Sequence, residues 1–223
     1  MSELGLKETM STMTTLTLCM ARHGETDWNA ENRIQGQLDI PLNSRGQEQA
    51  KALSSVLASM HFDAIYSSDL SRASVTAAAI ADQLGLELNI NPALRERHYG
   101  SFQGLTYAEV GRKTPEGLKR FLARELEYDM EGGESLNTLW SRCVTALGDL
   151  ARAHPNQTVL VVSHGAVLDT VYRYLVGHAL DAPRSVTTPN CALNWMSCRD
   201  GAWKLDVWGE VSHVADALDA LPE

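Results

Sequence analysis

The chain has 223 residues, 44% of them hydrophobic and 21% charged, which is the composition of an ordinary soluble globular protein. Its 28 acidic and 19 basic residues leave a formal net charge of −9, which argues against a general nucleic-acid binder, although a local arginine cluster still suits an anion. No apolar stretch approaches a membrane span, and the four cysteines (Cys19, Cys143, Cys191, Cys198) show neither a CxxC pair nor metal-ligand spacing, so they read as reduced thiols in a cytoplasmic protein.

Residues 1–14 lack the basic-then-apolar order of a signal peptide and read as a disordered extension, with Met10 and Met13 as alternative starts. A single domain is expected over 15–223, since no repeat, linker or low-complexity segment interrupts it. Leu16–Ala21 is a short apolar run bounded by polar residues, the pattern of a buried strand. Residues 24–43 read as a polar loop. A helix is predicted from near Ser44, with Ala50, Leu53, Leu57 and Met60 along one face. Ala64–Ser67 is a second strand; Ser71 is placed to cap a helix that Gly85 stops. A third strand spans Leu86–Ile90, before Pro92. The segment from about Gly104 to Gly133 is charged and helical in pattern, and Glu134–Ala153 is an amphipathic helix. Thr158–Val162 is β-branched and apolar, the clearest strand, and a helix follows from about Ala166 to Val176. Two last strands, around Ala192–Cys198 and Trp203–Val207, flank the hairpin dipeptide Asp200-Gly201. The stretch Val211–Leu221 places Val214, Leu218 and Leu221 on one helical face. Strands alternating with helices predict an α/β three-layer sandwich: a mostly parallel central sheet, helices on both faces, and the charged middle segment as a helical insertion over the site.

The chemistry concentrates at strand exits, where open α/β sheets bind ligands. His23 and His164 each follow an apolar strand and precede a glycine; if the two strands are neighbours, both rings meet at one edge of the sheet. Arg22 precedes the first, and Gly24 lets the backbone turn and approach a ligand closely. Arg72 follows the second strand and supplies another guanidinium fork, which matches phosphate oxygens. Imidazoles beside guanidiniums repel when charged unless an anion lies between them, and phosphate is the natural anion. Backbone N–H groups from Gly165 onward open a helix and add its positive dipole end. Glu96, in a polar loop after the third strand, is the candidate proton donor.

In combination these residues identify a resemblance. The runs Arg22-His23-Gly24-Glu25-Thr26-Asp27-Trp28-Asn29, Arg33-Ile34-Gln35-Gly36 and Asp39-Ile40-Pro41-Leu42 come first. Ser67-Ser68-Asp69-Leu70-Ser71-Arg72-Ala73, Leu94-Arg95-Glu96 and Val162-Ser163-His164-Gly165 follow in order. From Thr15 to about Trp208 the chain resembles the histidine phosphatase superfamily, in the branch that includes cofactor-dependent phosphoglycerate mutases. The resemblance implies that His23 is the nucleophile, that Arg22, Arg72 and His164 hold the phosphoryl oxygens, and that Glu96 is general acid and base. It implies Asn29, Gln35 and the backbone near Gly36 on the phosphate or leaving-group side, although Asn29 and Gln35 could equally order their own loop. Arg97, Tyr99, Gly165 and Ala166 complete the expected binding set. No metal and no cofactor are called for.

Within that family the run Glu96-Arg97-His98-Tyr99-Gly100 is close to the mutase pattern. Tyr107 stands where mutases have a lysine, and the short middle segment lacks their adjacent arginine pair and proline-rich stretch. The expectation is therefore a metal-independent phosphomonoesterase acting on a small phosphorylated metabolite through a phosphohistidine. A phosphoglycerate mutase is the alternative, and a non-catalytic phosphate-binding module the remote one. Neither nucleic acid nor membrane is an expected partner; the oligomeric state is not legible in the sequence, and a homodimer is what family resemblance leaves open.

Overall fold

A computed structural model describes residues 14–217. The expected extension falls almost wholly outside that range, as do Leu218 and Leu221. The elements are β1 (Thr15–Arg22), α1 (Asp27–Ala30), α2 (Ser44–Leu57), β2 (Ala64–Ser67), α3 (Ser71–Leu84), β3 (Leu88–Ile90), α4 (Tyr107–Lys113) and α5 (Pro115–Leu122). They continue with α6 (Leu136–Ala153), β4 (Thr158–Ser163), α7 (Gly165–Val176), β5 (Leu193–Arg199) and β6 (Ala202–Glu210), and a 3-10 turn over Ser212–Ala217 follows. Among the described residues no helix is long and apolar enough to cross a membrane.

The six strands form one sheet in the order β3-β2-β4-β1-β5-β6. β3, β2, β4 and β1 are parallel, and β5 and β6 add an antiparallel hairpin at one side. Alternation along the central strands explains the three layers. Leu16, Leu18 and Met20 of β1, with Val159 and Val161 of β4, pack on α6 and α7. Cys19 and Ala21, with Leu160 and Val162, pack on α2 and α3. Val110, Tyr128 and Met130 of the middle segment pack with Ile34 and Phe102 in a separate small core.

The strand order positions the site. β1 and β4 are direct neighbours, yet the chain leaves β1 toward α2 on one face and leaves β4 into α7 on the other. That divergence opens a crevice beyond their carboxyl ends. The register pairs Arg22 with Ser163, so the next residues, His23 and His164, stand at the same level.

Several expectations need correction. The loop after β1 contains a one-turn helix, α1, held by a capping box between Thr26 and Asn29. Met60 lies beyond the end of α2 and is 38% exposed, not part of its buried face. Ser71 does not cap α3: Leu70 occupies the cap position, and the Ser71 N–H donates to Asp39 Oδ1 at 2.7 Å, so a carboxylate from a distant loop does the capping. β3 begins at Leu88, and Val214 is buried in a 3-10 turn rather than on an α-helical face. The hairpin at Asp200-Gly201 has both residues at positive φ, as a tight two-residue turn requires.

Candidate active site

His23 leaves β1 with its backbone N–H on Ser163 O at 3.0 Å, which ties the two strand ends together. Its ring Nδ1 lies 2.7 Å from Gly24 O. A carbonyl oxygen only accepts, so Nδ1 carries the proton and Nε2 keeps its lone pair. His164 occupies the cap position of α7, and its ring centroid is 5.1 Å from that of His23. Both rings are buried, and among the described residues neither nitrogen of His164 has a hydrogen-bond partner. Burial holds both imidazoles well below their ordinary pKa. Arg72 and Arg22 push His23 further the same way, and Arg72, His23 and Arg22 do so for His164. The expected repulsion between imidazole and guanidinium is thus relieved by keeping the rings neutral.

Two arginines flank the rings, each oriented by backbone carbonyls. Arg22 donates Nη1–H to Thr188 O at 2.7 Å. Arg72 donates to Gly36 O at 2.7 Å and to Leu38 O at 2.9 Å. In both, Nε is buried without a partner among the described residues. Buried polar groups are nearly always hydrogen-bonded, so orphaned donors converging beside two imidazoles mark a place built for an anion. Burial lowers both guanidiniums, Arg72 to about 10, and the charge of Glu96 opposes the shift in each.

Glu96 sits across the first turn of α7. Its carboxylate accepts from the Arg97 N–H at 2.7 Å and from the Ala166 N–H at 3.2 Å. The loop that carries it is braced by Arg142 of α6, which donates to Ala93 O, Arg95 O and Glu96 O, and by the two-pronged Arg95–Asp69 pair at 2.7 and 2.5 Å. An acid on a loop held this way keeps its place relative to the histidines.

Arg22, His23, Arg72 and Glu96 converge on a cavity of about 470 Å3, whereas His164 is buried and is not among its lining residues. Asn29, Gln35, Gly36, Tyr99, Gly165 and Ala166 also line it. Asn29 Oδ1 is occupied by Thr26 in the capping box, and Gln35 Oε1 is buried without a donor. Gly36, at φ +56°, offers its carbonyl to Arg72, and a Cβ there would lie 2.1 Å from Gln103 Oε1. Arg97 stands apart from this lining. Its guanidinium donates to Glu134 O and Tyr128 O and lies over the Tyr99 and Phe121 rings. Gly24 is not at positive φ; a Cβ there would meet Gly46 O at 2.4 Å, so the close approach it permits is to α2 rather than to a ligand.

Residues missed in the sequence come from the return loop between α7 and β5. Thr188 O orients Arg22, Asn190 Nδ2 donates to His23 O at 2.8 Å, and Arg184 lines the cavity. That loop has no periodicity and no motif, so nothing in the sequence signalled it. Among the described residues no cluster of His, Cys, Asp and Glu is arranged to hold a metal ion.

The sequence model of the histidine phosphatase superfamily (branch 1) matches residues 18–211. A phosphoglycerate mutase-like protein 4 of Arabidopsis thaliana is 39% identical over 203 residues, covering 89% of this chain and 87% of that protein. A metal-independent phosphoserine phosphatase of the same plant is 38% identical over 201 residues, covering 89% and 83%. Among solved structures, a phosphoserine phosphatase of Entamoeba histolytica, a histidine-to-alanine variant in complex with phosphoserine, superposes with a TM-score of 0.81 at 29% identity, covering 89% of this chain and 99% of that one.

Proposed function

The chain belongs to the histidine phosphatase superfamily, and from that premise we propose that it is a metal-independent phosphomonoesterase that hydrolyses a small phosphorylated metabolite through a phosphohistidine on His23. The observation that carries this reading is the buried His23–His164 pair flanked by the orphaned Nε donors of Arg22 and Arg72. His23 Nε2, its lone pair free because Nδ1 is tied to Gly24 O, attacks phosphorus in line with the ester oxygen. The P–O ester bond breaks as the P–N bond forms, and Glu96 gives its proton to the leaving oxygen. Arg22, Arg72 and His164 hold the equatorial oxygens, where charge builds in the transition state; fixed guanidiniums take the place a metal ion fills in other phosphoryl-transfer sites. In the second step water attacks the phosphohistidine, Glu96 takes its proton, and phosphate leaves with His23 restored.

Hydrolysis is favoured over mutase chemistry by the middle segment. Two of its arginines are engaged by the protein: Arg120 pairs with Glu125 and lies over Tyr128, and Arg124 pairs with Asp169. None of the middle segment's cations lines the cavity that holds His23, and Arg124, which lines a neighbouring one, is held by Asp169 and Leu180 O, so that segment presents no free grip for a second phosphate. The test compares, in EDTA, phosphate release from p-nitrophenyl phosphate, O-phosphoserine and 3-phosphoglycerate with isomerisation of 3-phosphoglycerate primed by 2,3-bisphosphoglycerate. Release without isomerisation is expected. Rapid isomerisation with little release would make the protein a mutase, and neither activity would return it to a phosphate-binding module.

A further inference from the structure

Arg184 is a guanidinium that the phosphate site does not use. It lines the cavity that holds Arg22 and His23, and also an adjoining cavity of about 300 Å3; the two share Tyr99, Tyr107, Ala166 and Arg184. The loop carrying Arg184 is fixed by two other arginines. Arg173, buried on α7, donates to Ala179 O at 2.5 Å and Pro183 O at 3.1 Å, and Arg124 donates to Leu180 O at 2.7 Å. Both also reach Asp169 Oδ2, at 3.1 and 3.2 Å. That oxygen is therefore already shared, and Arg184 Nε lies 3.7 Å from the other, Oδ1, too far for a hydrogen bond.

Three guanidiniums thus surround one carboxylate, an excess of two positive charges, and the surplus faces the cavity through Arg184. Among the described residues Arg184 has no hydrogen-bond acceptor. The other cavity arginines outside the phosphate pair are engaged: Arg33 with Glu31, Glu109 and Gly104 O, and Arg45 with Glu25 at 3.8 Å. A single guanidinium fork matches the two oxygens of a carboxylate. A second phosphate dianion fits less well, since its neutralisation calls for more than one guanidinium and Arg33 and Arg45 are already paired with carboxylates.

Resting on the phosphomonoesterase reading, we propose that Arg184 is a specificity-determining residue that binds a carboxylate borne by the substrate, so that the enzyme takes phosphorylated acids in preference to phosphorylated amines or alcohols. The test uses a matched pair of esters, O-phosphoserine and O-phosphoethanolamine, which differ by the carboxylate. The Arg184 side chain is 53% exposed and makes no hydrogen bond, so Arg184→Gln is compatible with the fold. In Arg184→Gln the ratio of kcat/KM for the acid over the amine is expected to fall by roughly tenfold or more, chiefly through KM, with Arg184→Lys recovering part of it. An unchanged ratio, whether both esters lose alike or neither does, overturns the proposal. If the wild-type protein releases phosphate from neither ester, the phosphomonoesterase reading fails separately, and calorimetric titration with O-phosphoserine decides: affinity weakened about tenfold by Arg184→Gln sustains the carboxylate site. Equal affinity, or no binding to the wild type, overturns it.

Discussion

His23 and His164 are neutral for a reason that also makes them liabilities in acid. In an unfolded chain an imidazole titrates near 6.5. In the fold both sit well below that, through burial first and the neighbouring arginines next. As pH falls below 6.5 the unfolded chain takes up protons that the native protein refuses, so the contribution of these rings is present above 6.5 and is lost below it. The urea midpoint is accordingly expected to drop between pH 7 and pH 5, a window above the range where Asp63, Asp69, Glu109 and Glu210, all lowered, give up their own contributions. A His164→Gln variant should flatten that slope; an unchanged slope would count against buried neutral rings. The nucleophile assignment has a sharper test. His23→Ala should lower phosphate release by at least about a thousandfold and abolish the acid-labile phosphoenzyme seen by rapid quench with labelled substrate. A variant that still turned over would refute it. Arg22, His23, Arg72 and His164 were legible in the sequence because each sits at a strand exit or helix start whose pattern is local. Arg184, Thr188 and Asn190 were not, because only the tertiary fold of an aperiodic loop carries them to the site.

At the scale of elements, the exit of β1 and the first turn of α2 touch backbone to backbone. A Cβ on Gly46 would lie 2.0 Å from Glu25 O, and one on Gly24 would lie 2.4 Å from Gly46 O. Backbone cannot swing aside as a side chain does, so Gly46→Ala must push α2 away from the loop that follows His23. The expected cost is about 1–3 kcal/mol, read from urea unfolding, with a loss of activity that exceeds any change in folded fraction. A variant as stable and active as the wild type would mean the helix has room to shift. The same contact shows what sequence patterns hold and omit. α2 was visible from its apolar spacing and α3 from its alanine-rich run with Gly85 as stop. α1 was not, since four residues with no buried side chain have no periodicity and depend on a capping box alone. Nor was the Asp39 cap on α3, because a bond between Asp39 and Ser71 spans two separate segments. Arg97 illustrates the converse: the resemblance put it in the expected binding set, whereas its guanidinium is directed to the backbone carbonyls of Glu134 and Tyr128.

At the scale of the molecule, the four cysteines report on how the layers come apart. Cys19 and Cys191 belong to the core under α2 and α3, and Cys143 and Cys198 to the core under α6 and α7. All four are free and buried. Burial pushes their thiols upward, Cys143 and Cys191 to about 12, which suppresses the reactive thiolate. Alkylation therefore waits for an opening that removes a helical layer from the sheet. Cys198 differs in position: it lies on β5, within the hairpin at the side of the sheet, and lines a cavity of about 620 Å3 with Thr14, Leu16 and Trp203 at the amino end of β1. Local separation of the hairpin exposes it without disturbing the centre of the sheet. Iodoacetamide labelling followed by mass spectrometry should modify Cys198 first, and Cys198→Ala should delete that phase. Cys19, Cys143 and Cys191 should follow together, at a rate that rises with urea in step with global unfolding. Early modification of Cys191 alone would instead locate the weakest layer beside Arg22 and His23, and would place the first opening of the fold at the edge that carries the candidate site.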